Sequence, residues 1–181
     1  MNRLKEKYQK EIVSKIQKEF SLKNIMEVPR LKKIVVNTGI GNFKDNKTAV
    51  ESFVNEMTQF LGQRPKPTKA RLSVAGFKIR EGDTVGYSAT LRGNTMWAFL
   101  DKLISIAIPR IRDFRGLSTK SFDEAGNYSL GIKEHAIFPE VDPNTIKDVR
   151  SLQVTIVSSG DRKDLNKALL NYLGMPFKKE A

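Results

Sequence analysis

Few residues in this 181-residue chain could act as catalytic acids, bases or nucleophiles. His135 is the only histidine, beside Glu134 in "IKEHAIF", and the chain contains no cysteine. A general base needs a partner that orients it, and a lone histidine supports neither a Ser-His-Asp set nor a metal site. We therefore expect no catalytic residues, no metal and no cofactor.

A second candidate for chemistry is the glycine turn "TGIGNFKD", which follows a predicted strand. Gly39 and Gly41 have the G-x-G spacing of a dinucleotide-binding fingerprint, but Lys44 takes the position of the third glycine and no Walker-type GK[ST] follows. A strand-to-loop turn that needs glycine backbone freedom explains the pattern more simply. An enzyme that binds a phosphorylated ligand at this turn is kept as an alternative.

Cationic residues concentrate in "GQRPKPTKARLSVAGFKIREG", residues 62–82, with six Lys or Arg and one acid, Glu81. The whole chain has 32 basic and 20 acidic residues, a formal charge of +12. Such an excess favours polyanionic partners, nucleic acid first and an anionic membrane second. Residues 120–150 reverse the sign, with four basic and six acidic residues. That region is either a second surface for a basic partner or a solvated loop.

The hydrophobic pattern argues against membrane insertion. The first residues alternate in charge and do not form a secretory signal, and the longest apolar run is "MWAFL", residues 96–100. An amphipathic N-terminal helix could lie on a membrane, but its narrow apolar stripe without Trp favours packing on a sheet or touching RNA. We expect a cytoplasmic protein.

Hydrophobic periodicity predicts the elements that must position these residues. A helix is indicated by Leu4, Tyr8, Ile12, Ile16 and Phe20, and another by the stretch from a cap at Asn46 to a stop at Gly62. The other predictions are strands at 31–38, 68–74, 84–92, around 127–135 and at 151–159, a loop at 75–82, and helices from a cap at Asn94 to Pro109 and over 162–173. This order predicts an α+β fold in a single domain, 1–181, with a mainly antiparallel sheet, helices on one face and an open, polar face.

The open face of the predicted sheet suits RNA. In "TVGYSATLR" Thr84, Gly86, Ser88, Thr90 and Arg92 share one side, and Lys33 and Asn37 share a side of the first strand. Small residues allow an RNA backbone to approach closely, and side-chain hydroxyls can exchange hydrogen bonds with the 2′-hydroxyls of the RNA. No helix that could enter a DNA major groove is apparent, so RNA is favoured over DNA.

Long stretches of the chain resemble a known family. They include "VPRLKKIVVNTGIG", "ATLRG", "IPRIRDFRG", "NYSLGIKEHAIFPE" and "LLNYLGMPF", together with the basic stretch. The chain resembles the universal 5S-rRNA-binding ribosomal proteins, number five in the large-subunit series, and its length is that of the bacterial form. The resemblance implies a protein that attaches 5S rRNA to the central protuberance. It also implies contact with the P-site tRNA and a bridge to a basic protein of the small-subunit head. Further candidate partners are 23S rRNA and neighbouring proteins of the central protuberance.

The resemblance also implies site residues. RNA-facing positions that it carries over are Asn37, Gln63 and Thr90, to which strand parity adds Lys33 and Arg92, and the basic stretch adds Arg64, Lys66 and Thr68. A projecting basic loop within residues 68–83 would contact the tRNA through Ser73, Val74, Ala75, Gly76, Phe77, Lys78 and Arg80. The bridge would involve Arg110, Arg112, Asp113, Phe114, Arg115, Glu134 and His135.

Overall fold

The computed structural model describes residues 2–41, 43, 46–141, 150–160 and 162–178. Its strands are β1 (Leu31–Gly39), β2 (Lys66–Lys69), β3 (Thr84–Leu91), β4 (Tyr128–Ile132) and β5 (Leu152–Ser158). They form one sheet in the order β2-β3-β1-β5-β4, and every neighbouring pair is antiparallel. The predicted α+β fold with an antiparallel sheet is confirmed.

Helices lie before, between and after these strands. They are α1 (Arg3–Lys7), α2 (Val13–Glu19), α3 (Lys47–Leu61), α4 (Gly93–Lys102) and α5 (Lys163–Leu173). A π-helical segment (Tyr8–Ile12) joins α1 to α2, and α4 continues through another (Leu103–Ala107) into a 3₁₀ turn (Ile108–Arg110). Shorter 3₁₀ turns lie at Ile25–Glu27, Ala75–Phe77, Thr119–Ser121 and His135–Ile137.

The π-helical segment keeps the apolar stripe of the N-terminal helix on one side. Leu4, Ile12 and Ile16 are buried, and Tyr8 packs against the core. Because an α-helix has 3.6 residues per turn, a spacing of four rotates a stripe by about 40° per turn. The wider π-helical turn offsets this rotation, so that Ile12 and Ile16 face the core again.

One face of the sheet joins the hydrophobic core. Ile34 and Val36 of β1 are fully buried, and Leu91 and Ala89, their partners in β3, are nearly so. The helices supply the other half of this core through Phe53, Met57, Phe60, Met96, Phe99, Leu100 and Leu103. Residues that alternate with the buried ones, such as Asn37, point to the opposite side of the sheet.

Most helix ends follow their predicted signals. The Asn46 side chain accepts a hydrogen bond from the Ala49 N–H at 3.1 Å, and Gly62 ends α3 with a left-handed φ of 69°. The predicted cap at Asn94 is wrong. Helix α4 begins at Gly93, and Arg92 precedes it without a side-chain hydrogen bond to the helix.

The predicted strand at 68–74 is also wrong, because β2 covers only Lys66–Lys69. Its partner β3 begins at Thr84, which pairs with Lys69, so the chain beyond Lys69 has no strand to pair with. Instead, the Ala70 N–H donates to the Asp83 carbonyl at 2.8 Å and closes a loop. The Pro-rich entry into β2 is extended, as expected for an edge strand.

Gly86 offers a test of the close packing between β1 and β3. A Cβ atom at this position would lie 2.5 Å from the Thr38 carbonyl oxygen. We expect Gly86→Ala to lower the free energy of unfolding by about 1–3 kcal/mol, measured by urea denaturation, because the methyl group overpacks the sheet. Gly131→Ala in β4 is the matched control, since its Cβ would meet no atom within 4 Å. Equal destabilisation by the two substitutions would contradict this account.

Candidate nucleic-acid interface

Side chains that point away from the core form an open face on the sheet. One row of register partners crosses all five strands: Lys66 faces Ser88, Ser88 faces Asn37, Asn37 faces Gln153, and Gln153 faces Gly131. Ser88 is half-buried and the other four are exposed. The row is polar, most of its side chains are short, and its one cation, Lys66, lies at the β2 end.

A parallel row lies beside the first. It consists of Thr90, Val35, Thr155 and Ser129, one each from β3, β1, β5 and β4. The hydroxyls of Ser129 and Thr155 are 3.2 Å apart and hydrogen-bonded. The second row therefore offers hydroxyls and one valine.

The structure brings most of the predicted RNA-facing residues together. Lys33, Asn37 and Thr90 lie on the open face, as their alternation predicted. Lys66 and Thr68 lie beside them on β2. Lys66 pairs with Ser88 of β3, and Thr68 pairs with Gly86. Exposed residues at the ends of these strands complete the set: Gln63 and Arg64 before β2, and Arg92 after β3. Gly86 was expected on this face but is buried against the backbone of β1.

Half of the open face was missed by sequence reasoning. Gln153, Thr155, Ser129 and Gly131 extend it across β5 and β4. The signal was present, since "LQVTIVS" alternates apolar and polar residues. What the sequence lacked was the strand order that places β5 beside β1.

Backbone hydrogen bonds hold the basic loop, residues 70–83, in a defined shape. Val74 and Ile79 exchange N–H···O bonds of 2.9 and 3.2 Å, and the 3₁₀ turn Ala75–Phe77 connects them. Lys78 follows the turn in a left-handed conformation with φ of 52°. The predicted tRNA-contacting residues, 73–78 and Arg80, are all exposed.

Two side chains reinforce the basic loop from within. The Glu81 N–H donates to Ser73 Oγ at 2.9 Å, and the Arg80 N–H donates to Asp83 Oδ2 at 2.9 Å. Ser73 was predicted as a tRNA contact, but its hydroxyl accepts a bond inside the loop. Phe77 and Leu72 are each 75% exposed.

Five of the seven predicted bridge residues line a cleft of about 500 Å³ between residues 111–118 and β4. Phe114 is half-buried and packs against the core. Residues of the set that line the cleft are Arg112, Asp113, Phe114, Arg115 and Glu134, and Arg110 is exposed just before it.

Two acids of the 120–150 region have partners within the chain. Asp123 accepts hydrogen bonds from Asn127, and Glu140 forms a salt bridge with Lys102. Residues 142–149 lie outside the described part of the chain, so the predicted acidic surface is described only in part.

The glycine turn lacks the surroundings of a dinucleotide site. Such a fingerprint joins parallel strands through a helix, whereas β1 is antiparallel to both of its neighbours. Gly39 belongs to β1 itself, and α3 begins only after the cap at Asn46. Lys44 lies outside the described residues.

Two family models match the chain. One, described as ribosomal protein L5, covers residues 24–80, and the other, described as the C-terminus of the same ribosomal family, covers residues 84–177. The chain belongs to the ribosomal protein L5 family. L5 proteins are structural proteins of the large ribosomal subunit and not enzymes, so this chain has its place in the ribosome and its role in translation.

The two L5 matches contribute to one sheet. Strands β1 and β2 lie in the first match and β3, β4 and β5 in the second. Each row of the open face therefore combines residues from both. The assignment of residues 1–181 to a single domain stays a prediction. In the described part of this L5 chain, no helix combines the length and apolar character needed to cross a membrane.

His135 is a buried structural residue, 1% exposed. Its Nδ1 accepts a hydrogen bond from the Arg150 backbone N–H at 3.2 Å, so the neutral ring carries its proton on Nε2 and donates to Glu56 at 3.1 Å. The Arg150 guanidinium lies over the Phe43 ring at 3.9 Å and donates to the Ala49 carbonyl at 3.0 Å. This cluster was not predicted, and it joins α3 to the start of β5.

The burial of His135 changes how the bridge prediction is interpreted. Its side chain faces the interior of this L5 protein, whereas Arg112 and Arg115 of the same predicted set are exposed. The bridge itself stays a prediction.

Burial lowers the pKa of His135; the nearby Glu56 carboxylate opposes this shift and the Arg150 cation adds to it. The unfolded chain, with an ordinary pKa of about 6.5, then binds more protons than the folded one, and stability rises with pH in that interval. We expect the His135 contribution to be complete above about pH 6.5 and to be lost as the pH falls through the folded-state pKa.

Urea denaturation of the wild type and of His135→Gln between pH 5.5 and 7.5 checks this expectation. The variant has no titrating side chain at this position, and the chain has one histidine, so the difference between the two pH profiles isolates its effect. Parallel profiles would show that the His135 pKa is the same folded and unfolded.

Proposed function

We propose that the protein binds 5S rRNA through the open face of its sheet and helps to attach it to the central protuberance. The observation that carries the proposal is the row Lys66-Ser88-Asn37-Gln153-Gly131, which is polar, mostly exposed and continuous across five strands. Membership of a large-subunit ribosomal protein family supports an RNA partner.

The chemistry of the face suits an RNA backbone. Amides at Asn37 and Gln153 donate and accept hydrogen bonds, as do the hydroxyls of Thr90 and Ser88. RNA differs from DNA in its 2′-hydroxyl, which is both a donor and an acceptor. Cations at the ends of the face, including Lys66 and Arg92, neutralise phosphates and supply affinity that carries no sequence information.

The basic loop contacts the elbow of the P-site tRNA in this proposal. The loop is exposed, is closed by backbone hydrogen bonds and carries Arg71, Lys78 and Arg80. It lies beyond β2 and β3 and belongs to neither row of the open face. The two RNA contacts are therefore separable.

The third part of the proposal is a bridge to a basic protein of the small-subunit head. Arg110, Arg112, Asp113 and Arg115 are exposed, and Glu134 is half-buried, beside the cleft at β4, an edge strand. The three arginines and the acids Asp113 and Glu134 give a mixed charge, which suits a basic partner that also presents acidic groups at the contact. Neighbouring proteins of the central protuberance and 23S rRNA complete the proposed surroundings.

Asn37→Ala and Thr90→Val test the open face. Each removes hydrogen-bonding groups without changing the fold, and we expect each to weaken 5S rRNA binding by about fivefold or more in a filter-binding assay. Asn171→Ala on α5 and Thr48→Val on α3 are matched controls, because both are exposed and distant from the face. Wild-type affinity in both open-face variants would refute the assignment.

The salt dependence of the same complex tests the role of the cations. If about six phosphates are neutralised, the logarithm of the affinity falls with the logarithm of the salt concentration with a slope of about −4 to −5. A gel-shift series against 5S rRNA and competing RNAs measures this slope. An affinity independent of salt would contradict phosphate neutralisation.

Replacing Ala75–Lys78 with Asn-Gly tests whether the two RNA contacts are separate. A two-residue turn keeps Val74 and Ile79 paired while it removes the tip of the basic loop. We expect unchanged 5S rRNA binding and weaker retention of P-site tRNA on ribosomes that carry the variant. A large loss of 5S rRNA affinity would place the tip in the rRNA site instead.

A further inference from the structure

Apolar and cationic side chains alternate on the surface of the basic loop. Leu72 and Phe77 are each 75% exposed and Val74 is 43% exposed. Three large apolar residues within six positions of the chain are thus in contact with water, and exposed apolar surface of this kind can mark an interaction site. The same segment of the chain carries four exposed cations, Lys69, Arg71, Lys78 and Arg80.

Phe77 does not hold the basic loop together. With three quarters of its surface in water, its ring contributes little apolar burial to the fold. The loop shape comes instead from the Val74–Ile79 backbone pair and from the side chains of Ser73 and Asp83. The Phe77 ring therefore lies in solvent, and the hydrogen bonds that shape the loop do not involve its side chain.

The cations around the ring decide which partner it fits. Exposed apolar residues alone would suit a protein partner, but a loop that also carries exposed Arg71 and Arg80 suits a polyanion whose bases have exposed faces. Aromatic side chains stack on nucleotide bases regardless of sequence, because every base has a π face.

Ser73 ties together the two sides of the turn that carries Phe77, and Asp83 fixes the segment that follows the turn. Ser73 accepts the Glu81 N–H, and Asp83 accepts the Arg80 N–H, each at 2.9 Å. Both donor N–H groups lie in the segment that returns from the tip towards β3. Holding a loop in its bound shape before binding removes the entropy cost of ordering it on the partner.

We propose that Phe77 stacks on an exposed base of the bound RNA, and that Ser73 and Asp83 are positioning residues that hold the basic loop ready for this contact. The inference rests on the proposed contact between the basic loop and tRNA. It assigns Ser73 a role inside the protein and adds Asp83, an acid that would otherwise be unfavourable beside RNA.

Amide hydrogen exchange of the free protein tests the positioning residues without any RNA. We expect Ser73→Ala and Asp83→Ala to speed exchange at the Glu81 and Arg80 amides by about tenfold. Ser73→Thr and Asp83→Asn keep an acceptor oxygen and are expected to exchange as the wild type does. Unchanged exchange in both alanine variants would overturn the positioning role.

Retention of P-site tRNA on ribosomes carrying each variant tests the stacking contact. We expect Phe77→Ala and Phe77→Leu to weaken tRNA binding by about fivefold or more, and Phe77→Trp to retain it, because only Trp keeps a π face. Met26→Ala is the matched control, since Met26 is 81% exposed in a different turn. Equal binding by the Leu and Trp variants would refute stacking.

The Asp83 variants separate positioning from charge. If the carboxylate acted only by repelling RNA, Asp83→Asn and Asp83→Ala would both strengthen tRNA binding. Positioning predicts wild-type binding for Asp83→Asn and weaker binding for Asp83→Ala. If exchange responds as expected while no loop variant alters tRNA retention, the proposed tRNA contact fails and the positioning residues stand.

Discussion

The double pairing of β1 is the constraint on which the rest of the structure depends. This strand has neighbours on both edges, and its residues alternate between the core and the open face. A shift of one residue would move Ile34 and Val36 into water and Asn37 into the core. Exposing each of the two buried side chains costs about 1.5–3 kcal/mol. Core packing therefore fixes the register that aligns the polar rows.

In the proposed RNA complex, the open face and the net charge contribute to recognition in different ways. Most residues of the two rows are neutral, and cations such as Lys66 lie towards their ends. Neutral amides and hydroxyls lose less hydration energy than ions when a partner covers them. A charge of +12 acts at longer range and brings the partner near. Close contact then depends on shape and hydrogen bonding.

Local patterns were sufficient to predict most elements and one half of the open face. The alternation in β1 and β3 showed which residues share a side, and Asn46 and Gly62 marked the ends of α3. Contacts between distant residues were not predictable from these patterns. The strand order that adds β5 and β4 to the face, and the burial of His135 against Glu56, 79 residues away, depend on the tertiary fold. Strand β2 ends before its predicted limit for the same reason, because its length depends on where its partner β3 begins.

The strand order also has a consequence for the timing of folding. Strand β1 lies between β3 and β5, and its pairing with β5 joins residues more than 110 positions apart. Long-range antiparallel pairs form slowly because a long loop must close first. During synthesis, β1 leaves the ribosome well before β5 and has an unpaired edge in the interval. The row from Lys66 to Gly131 exists only once β5 has docked, so an RNA that reads the whole row distinguishes finished chains from unfinished ones.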